Sequence, residues 1–142
     1  MDGKKLEIVQ ISEREYWVGR NKTFLIENNI LHVVASGEQT KELAMLQFEI
    51  DRKLSSLVER KINYLIDLNN AGKNSPEARS IWTKTTENEN TNKVAIYGLS
   101  PVARVLASFV MGVTKKKDIR FFITKEDALN WIIEENPKNN QE

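Results

Sequence analysis

The spacing of apolar positions changes once along this chain. In the first third they come in short runs. Leu6–Ile11, Glu15–Arg20 and Thr23–Asn28 are separated by polar residues, with Arg20-Asn21-Lys22 as a tight turn and Asn28-Asn29 as the next break. Ile30–Gly37 then forms a longer apolar run. Short strands with polar connections predict an antiparallel meander. From Gln39 to Lys61 the period shifts. Leu43, Leu46, Ile50, Leu54, Leu57 and Val58 recur mostly at steps of three and four, which places them on one face of a long amphipathic helix. Glu42, Glu49, Asp51, Lys53 and Arg60 mostly fall off that face.

Beyond Lys61 the two periods alternate. Ile62–Leu68, Lys93–Leu99 and Asp118–Thr124 read as strands. Pro76 to about Thr86, Pro101 to about Val113 and Lys125 to about Glu135 read as helices. Val102, Val105, Leu106, Phe109 and Val113 form the inward stripe of the second of these, and Ala128, Leu129, Ile132 and Ile133 that of the third. Strands alternating with helices predict right-handed crossovers and a mostly parallel sheet. The fold class is therefore α/β, one mixed sheet whose meander joins parallel βαβ units. Residues 1–137 read as a single domain and 138–142 as a polar tail.

Composition narrows the chemistry. The chain has 142 residues, 40% of them apolar, which is enough for one core without covalent staples. Without cysteine it has no disulfide, thiolate metal site or thiol nucleophile. His32 is its single histidine, so no histidine cluster can hold a metal. The net charge of +1 gives no field that draws nucleic acid, and nucleic acid is not expected as a partner. No apolar run approaches the roughly 18 residues of a membrane span, and the N-terminus does not read as a signal peptide. A cytoplasmic location is the expectation.

Two stretches echo each other. SPEARS (Ser75–Ser80) and SPVARV (Ser100–Val105) both read Ser-Pro-x-Ala-Arg and lie 25 residues apart. Serine caps the free amides of a first helical turn, and proline suits the first helical position. Both therefore read as helix starts, as does Thr124 with Asp127 three residues on. In a parallel sheet such starts gather at the strand C-termini, where ligands and partners meet the fold. Asp67, at the end of an apolar run, has no companion carboxylate and reads as structural. His32 lacks a partner nucleophile, and Lys115-Lys116-Lys117 reads as a solvated loop. Neither GxxxxGK[ST] nor GxGxxG occurs, so nothing points to a nucleotide. No catalytic residue, metal ligand or cofactor site is assigned.

The order of elements resembles a known family. ILHVVASGEQT leading into a long helix, then LIDLNNAGKNS entering a second, is similar to the STAS domain, the fold of bacterial anti-sigma-factor antagonists. KVAIYGLSPVARVLASF followed by IRFFITKEDALNWI is similar to the SpoIIAA-like branch of that superfamily. The resemblance spans about Tyr16 to Ile133 and implies regulation by protein contact rather than catalysis. In the antagonists a serine opening the helix after the second core strand is phosphorylated, which switches partner binding. Its match here is Ser75. The chain departs from the family pattern around it, with Asn74 in place of an acidic residue before the serine and Pro76-Glu77 in place of a small or glycine-rich turn after it.

The implied partner surface comprises Asn70, Gly72, Lys73, Asn74, Glu77, Arg79, Trp82, Ser100 and Arg104. The branch is also compared with Sec14-type lipid carriers. That implies an alternative, a small-ligand or lipid site under the Pro101–Val113 helix, with Val102, Leu106, Phe109 and Val110 as its apolar pocket. A homodimer through that helix or through the first strands is a further expectation.

Overall fold

The structure, a computed structural model, describes residues 6–99 and 118–134. The expected Pro101–Val113 helix, with Ser100, Val102, Arg104, Leu106, Phe109 and Val110, lies outside the described residues, as do Lys115–Lys117 and the tail.

Seven strands form one sheet in chain order: β1 (Ile8–Ser12), β2 (Glu15–Val18), β3 (Asn21–Ile26), β4 (Ile30–Gln39), β5 (Ile62–Asn74), β6 (Thr91–Tyr97) and β7 (Ile119–Phe122). β1 to β4 pair antiparallel, and β4 to β7 pair parallel. Helix α1 (Lys41–Ser55) connects β4 to β5, α2 (Pro76–Glu87) connects β5 to β6, and α3 (Lys125–Ile133) follows β7. This is the predicted mixed sheet of meander and βαβ units.

Adjacent strand residues point to opposite faces, and the core divides accordingly. Leu31, Val33, Tyr64 and Val94 join Leu43, Ile50 and Leu54 of α1 in one buried cluster. Their neighbours Ile30, Leu65 and Ala95 join Ala128, Trp131 and Ile132 of α3 in another. α1 and α2 pack on each other over the first face. β1 closes one sheet edge, and all five of its residues are exposed.

Several boundaries differ from the sequence reading, each for an identifiable physical reason. Asn21 is the first residue of β3, paired with Val18 and fully buried, rather than the middle of a turn. Gly19 takes φ +60°, so Gly19-Arg20 alone closes the hairpin. α1 ends at Ser55 rather than near Lys61. The hydroxyls of Ser55 and Ser56 donate to the Arg52 and Lys53 carbonyls at 2.9 and 2.6 Å, and Leu57 and Val58 bond back only three residues. Serine hydroxyls compete for helical carbonyls in this way, and Leu57 is left exposed.

The largest difference lies in β5. NNAGKN reads as a loop by composition, yet β5 runs through it to Asn74. β4 extends alongside, pairing Ser36 with Asn70, Gly37 with Ala71 and Gln39 with Asn74. A Cβ on Gly72 would sit 3.2 Å from the Gly37 backbone, so a glycine permits this close pass. At the other end of the chain, Ile133 is exposed rather than core, while Trp131 is buried.

Candidate functional site

The parallel topology brings the ends of β5, β6 and β7 to one edge of the sheet. Ser75 lies there as the N-cap of α2. Its extended backbone (φ −70°, ψ 158°) lets Oγ accept from the Ala78 amide at 3.0 Å, with Pro76 in the first helical turn. The Ser75 amide donates to the Gln39 carbonyl at 3.1 Å, which ties the cap to the end of β4. Thr124 caps α3 in the same manner, accepting from the Asp127 amide at 3.1 Å.

Around Ser75 several expected residues converge. Arg79 donates through Nη1 to the Asn74 carbonyl at 3.1 Å, and Trp82 Nε1 donates to Asn74 Oδ1 at 3.0 Å. Asn74, Ser75, Arg79 and Trp82 are half-buried, whereas Asn70, Gly72, Lys73 and Glu77 are exposed. Asn70 to Asn74 are placed by a strand, not by the predicted loop. Gly98 reaches the same edge, with φ +81° and the Asn69 side chain 2.5 Å from where a Cβ would lie. Asn69 is itself held by Asp67, whose Oδ1 accepts from the Asn69 amide and side chain at 2.8 and 2.9 Å. Asp67 thus acts structurally, though within β5 rather than at its end. Ser100 and Arg104 of the expected surface lie outside the described residues.

Behind this edge is a polar cluster that the sequence reading missed. Asn21, Gln39, Gln47 and Asp51 are each at most 2% exposed. Asn21 Nδ2 donates to Gln39 Oε1 and Gln47 Oε1 at 3.0 and 3.2 Å. Gln47 Nε2 donates to Thr23 Oγ1 at 2.7 Å and to Asp51 Oδ1 at 2.9 Å. The other carboxylate oxygen, Asp51 Oδ2, is buried with no hydrogen-bond partner among the described residues. Burial raises the Asp51 carboxyl to about 7, against the pull of the Gln47 hydrogen bond. Burial also pushes the nearby Tyr64 hydroxyl well up, with the Asp51 charge adding to the effect. The sequence signal was available: Leu43, Gln47 and Asp51 are spaced by four and therefore share a helical face.

Asp51 and Tyr64 line a cavity of about 110 Å³ between the sheet, α1 and α2. Its wall is mostly apolar, with Val33, Ile66, Ile96 and Phe121 from the sheet. Gly72, Asn74, Arg79 and Trp82 line it as well, so four residues of the expected partner surface also bound the cavity.

His32 lies on the opposite face. It is buried, with Nε2 2.9 Å from the Tyr97 hydroxyl. Burial, reinforced by the Lys125 charge and opposed by Asp67, lowers it to about 4. The imidazole is thus a neutral core group. Among the described residues no cluster of acidic and histidine side chains is arranged to hold a metal, and no helix is long and apolar enough to cross a membrane.

Comparison with known proteins agrees with this architecture. An uncharacterized protein of the DUF3478 family from Shewanella loihica PV-4, with a SpoIIAA-like fold, superposes with a TM-score of 0.58 at 19% identity, covering 92% of this chain and 98% of that one. The anti-sigma factor antagonist SpoIIAA in its unphosphorylated form superposes with a TM-score of 0.55 at 9% identity, covering 80% and 97%. The fold is therefore the SpoIIAA-like STAS fold that the order of elements suggested. No curated protein matches the chain. A family described as a domain of unknown function, DUF7793, matches residues 24–135, most of the sheet and all three described helices, and the chain belongs to that family.

Proposed function

We propose that this chain is a non-enzymatic interaction module that binds a protein partner at the edge formed by Asn70 to Arg79, under the control of phosphorylation at Ser75. The observation that carries the reading is the position of Ser75. It is a half-buried N-cap at the end of a core strand, with the Arg79 guanidinium held one residue away on the Asn74 carbonyl. A phosphate on Oγ would meet the amides and positive dipole end of α2, and Arg79 is within reach to pair with it. Glu77 beside it would be repelled. One covalent change thus redistributes charge across the whole edge. SpoIIAA, which shares the fold, is described by its phosphorylation state.

The test is intact-mass and phosphopeptide analysis of the chain from its native cells, with affinity capture by Ser75→Ala and Ser75→Glu. Phosphate on Ser75 together with a specific partner that distinguishes the two variants is expected. An unmodified Ser75 and identical capture by both would overturn the proposal.

A second reading, small-ligand binding, is favoured by the cavity. The residues first expected to form an apolar pocket, Val102, Leu106, Phe109 and Val110, lie outside the described residues. The second reading therefore stands on the cavity beside Asp51.

A further inference from the structure

We infer that the cavity between α1, α2 and the sheet is a binding site for a small apolar molecule carrying one carbonyl oxygen, and that the Tyr64 hydroxyl donates to that oxygen. The inference rests on the ligand-binding reading and adds the chemistry of the ligand's polar atom and the residue that selects it.

Size and wall set the body of the ligand. An engineered apolar cavity of about 150 Å³ takes up benzene. A cavity of about 110 Å³ suits one small ring. Walls of Val33, Ile66, Ile96 and Phe121 favour a hydrocarbon there.

The polar atom follows from an accounting of the wall's side chains. Gln39 Nε2 donates to Asn21 Oδ1 and to two backbone carbonyls, and Gln39 Oε1 accepts from Asn21. Trp82 Nε1 donates to Asn74 Oδ1. The Thr85 and Thr86 hydroxyls donate to the Ile81 and Thr83 carbonyls at 3.2 and 2.8 Å. Arg79 Nη1 donates to the Asn74 carbonyl, and its other N–H groups, like the Asn74 amide nitrogen, belong to half-buried side chains at the sheet edge. Asp51 Oδ2 has no partner among the described residues, but it is closed off even from a water molecule and forms no part of the cavity's open surface. The Tyr64 hydroxyl remains. It makes no hydrogen bond among the described residues, yet it is not one of the oxygens closed off from water. Tyr64 is only 6% exposed and lines the cavity, so the open space that its hydroxyl meets is the cavity.

The state of that hydroxyl decides what fits. Burial keeps its proton in place, with the Asp51 charge adding to the effect, so it stands as a donor. A carbonyl oxygen accepts from it and brings no donor of its own. A ligand hydroxyl would share one hydrogen bond with it and leave one O–H unpaired against hydrocarbon, a state that buried donors avoid. A charged head would have a single hydrogen bond to offset its desolvation.

Three probes separate body from polar atom. Methylenecyclohexane and cyclohexanone have nearly the same shape and differ in a terminal CH₂ group against an oxygen; toluene tests the body alone. Their affinities are measured by chemical-shift titration of the full chain, for the wild type and Tyr64→Phe, which removes the hydroxyl and keeps the ring. All three are expected to bind the wild type with shifts confined to the cavity wall. Tyr64→Phe is expected to lower the cyclohexanone-to-methylenecyclohexane affinity ratio about five-fold, the loss of one hydrogen bond in a buried site, and to leave toluene binding within a few-fold. The infrared carbonyl stretch of cyclohexanone bound to the wild type supplies a second readout that needs no variant. It is expected at lower frequency than in hexane, as for a hydrogen-bonded carbonyl. Failure of all three probes to bind overturns the inference together with the ligand-binding reading. Binding of the hydrocarbons without cyclohexanone overturns the carbonyl alone. A ratio unchanged in Tyr64→Phe, or a stretch at the hexane frequency, overturns the assignment of Tyr64.

Discussion

On the face covered by α1 and α2 the sheet buries Asp51; on the face covered by α3 it buries His32. Burial favours the uncharged form of both side chains, raising the acid to about 7 and lowering the base to about 4. The two faces differ in what happens to the polar atoms. His32 Nε2 meets the Tyr97 hydroxyl in a wall of packed rings. Asp51 belongs to a four-residue amide and carboxyl cluster and lines a cavity, and its Oδ2 has no hydrogen-bond partner among the described residues. A buried ionisable group with its bonds made describes a core. One with a bond missing leaves a buried polar atom whose desolvation is not repaid. Perturbed titration alone does not separate the two cases.

The sharpest way to break this comparison is to open the packed face. Trp131 is 9% exposed, its ring 5.7 Å from that of Phe122, and Lys93 and Arg120 lie over its face at 5.0 and 5.1 Å. Trp131→Ala is expected to cost about 3–5 kcal/mol by urea unfolding, the usual range for removing a buried aromatic residue. The folded variant should still bind toluene, because the cavity lies across the sheet. A cost below about 1 kcal/mol would mean that α3 is not part of a packed core.

Next in size is the pH dependence, where the two faces act in opposite directions. Between pH 3.8 and about 7 the folded chain keeps a proton on Asp51 that the unfolded chain has lost, so this group makes stability fall as pH rises. Between about 4 and 6.5 the unfolded chain holds a proton on His32 that the folded chain lacks, so this group makes stability rise with pH. Over the shared window the two slopes oppose. Asp51→Asn removes the falling term and should leave a steeper rise with pH; His32→Gln should do the reverse. Each change in slope is at most about 1.4 kcal/mol per pH unit, read from urea midpoints at three pH values. Parallel profiles for both variants and the parent would show that neither group is shifted by its face.

The same comparison explains how much of the molecule was legible in the sequence. The order of elements was readable, because period-two and period-3.6 patterns alternate cleanly after Lys61. The caps were readable too, since Ser-Pro at residue 75 and Thr124 with Asp127 are local signals. The Asp51 cluster was legible only in the four-residue spacing that puts Gln47 and Asp51 on the helical face of Leu43. Gln47 and Asp51 carry polar labels, and what keeps them inside is Asn21 and Thr23 on β3, distant in sequence. The β5 extension failed for a similar reason. NNAGKN is turn-like by composition, and the backbone partners that make it a strand come from the end of β4. Contacts made within one turn of chain were visible; those supplied by another element were not. Of the residues expected to form a partner surface, Asn74, Arg79 and Trp82 meet across the strand-to-helix junction, while the cavity behind them gave no local signal.

The smallest effect tests the capping residues, one on each face. Ser75 opens α2 on the cavity side and Thr124 opens α3 on the packed side, and both accept from the third amide along, at 3.0 and 3.1 Å. Capping alone predicts that Ser75→Ala and Thr124→Ala each cost about 1 kcal/mol, with Ser75→Asp and Thr124→Asp restoring most of it, since aspartate caps as well as serine. Purified, unmodified protein is the right material, so that only the cap is measured. Equal costs there, together with a defect in partner capture for Ser75→Ala and none for Thr124→Ala, would separate regulation from folding at this edge. A loss of capture that follows stability equally in both variants would assign the two residues the same role and reduce Ser75 to a helix cap.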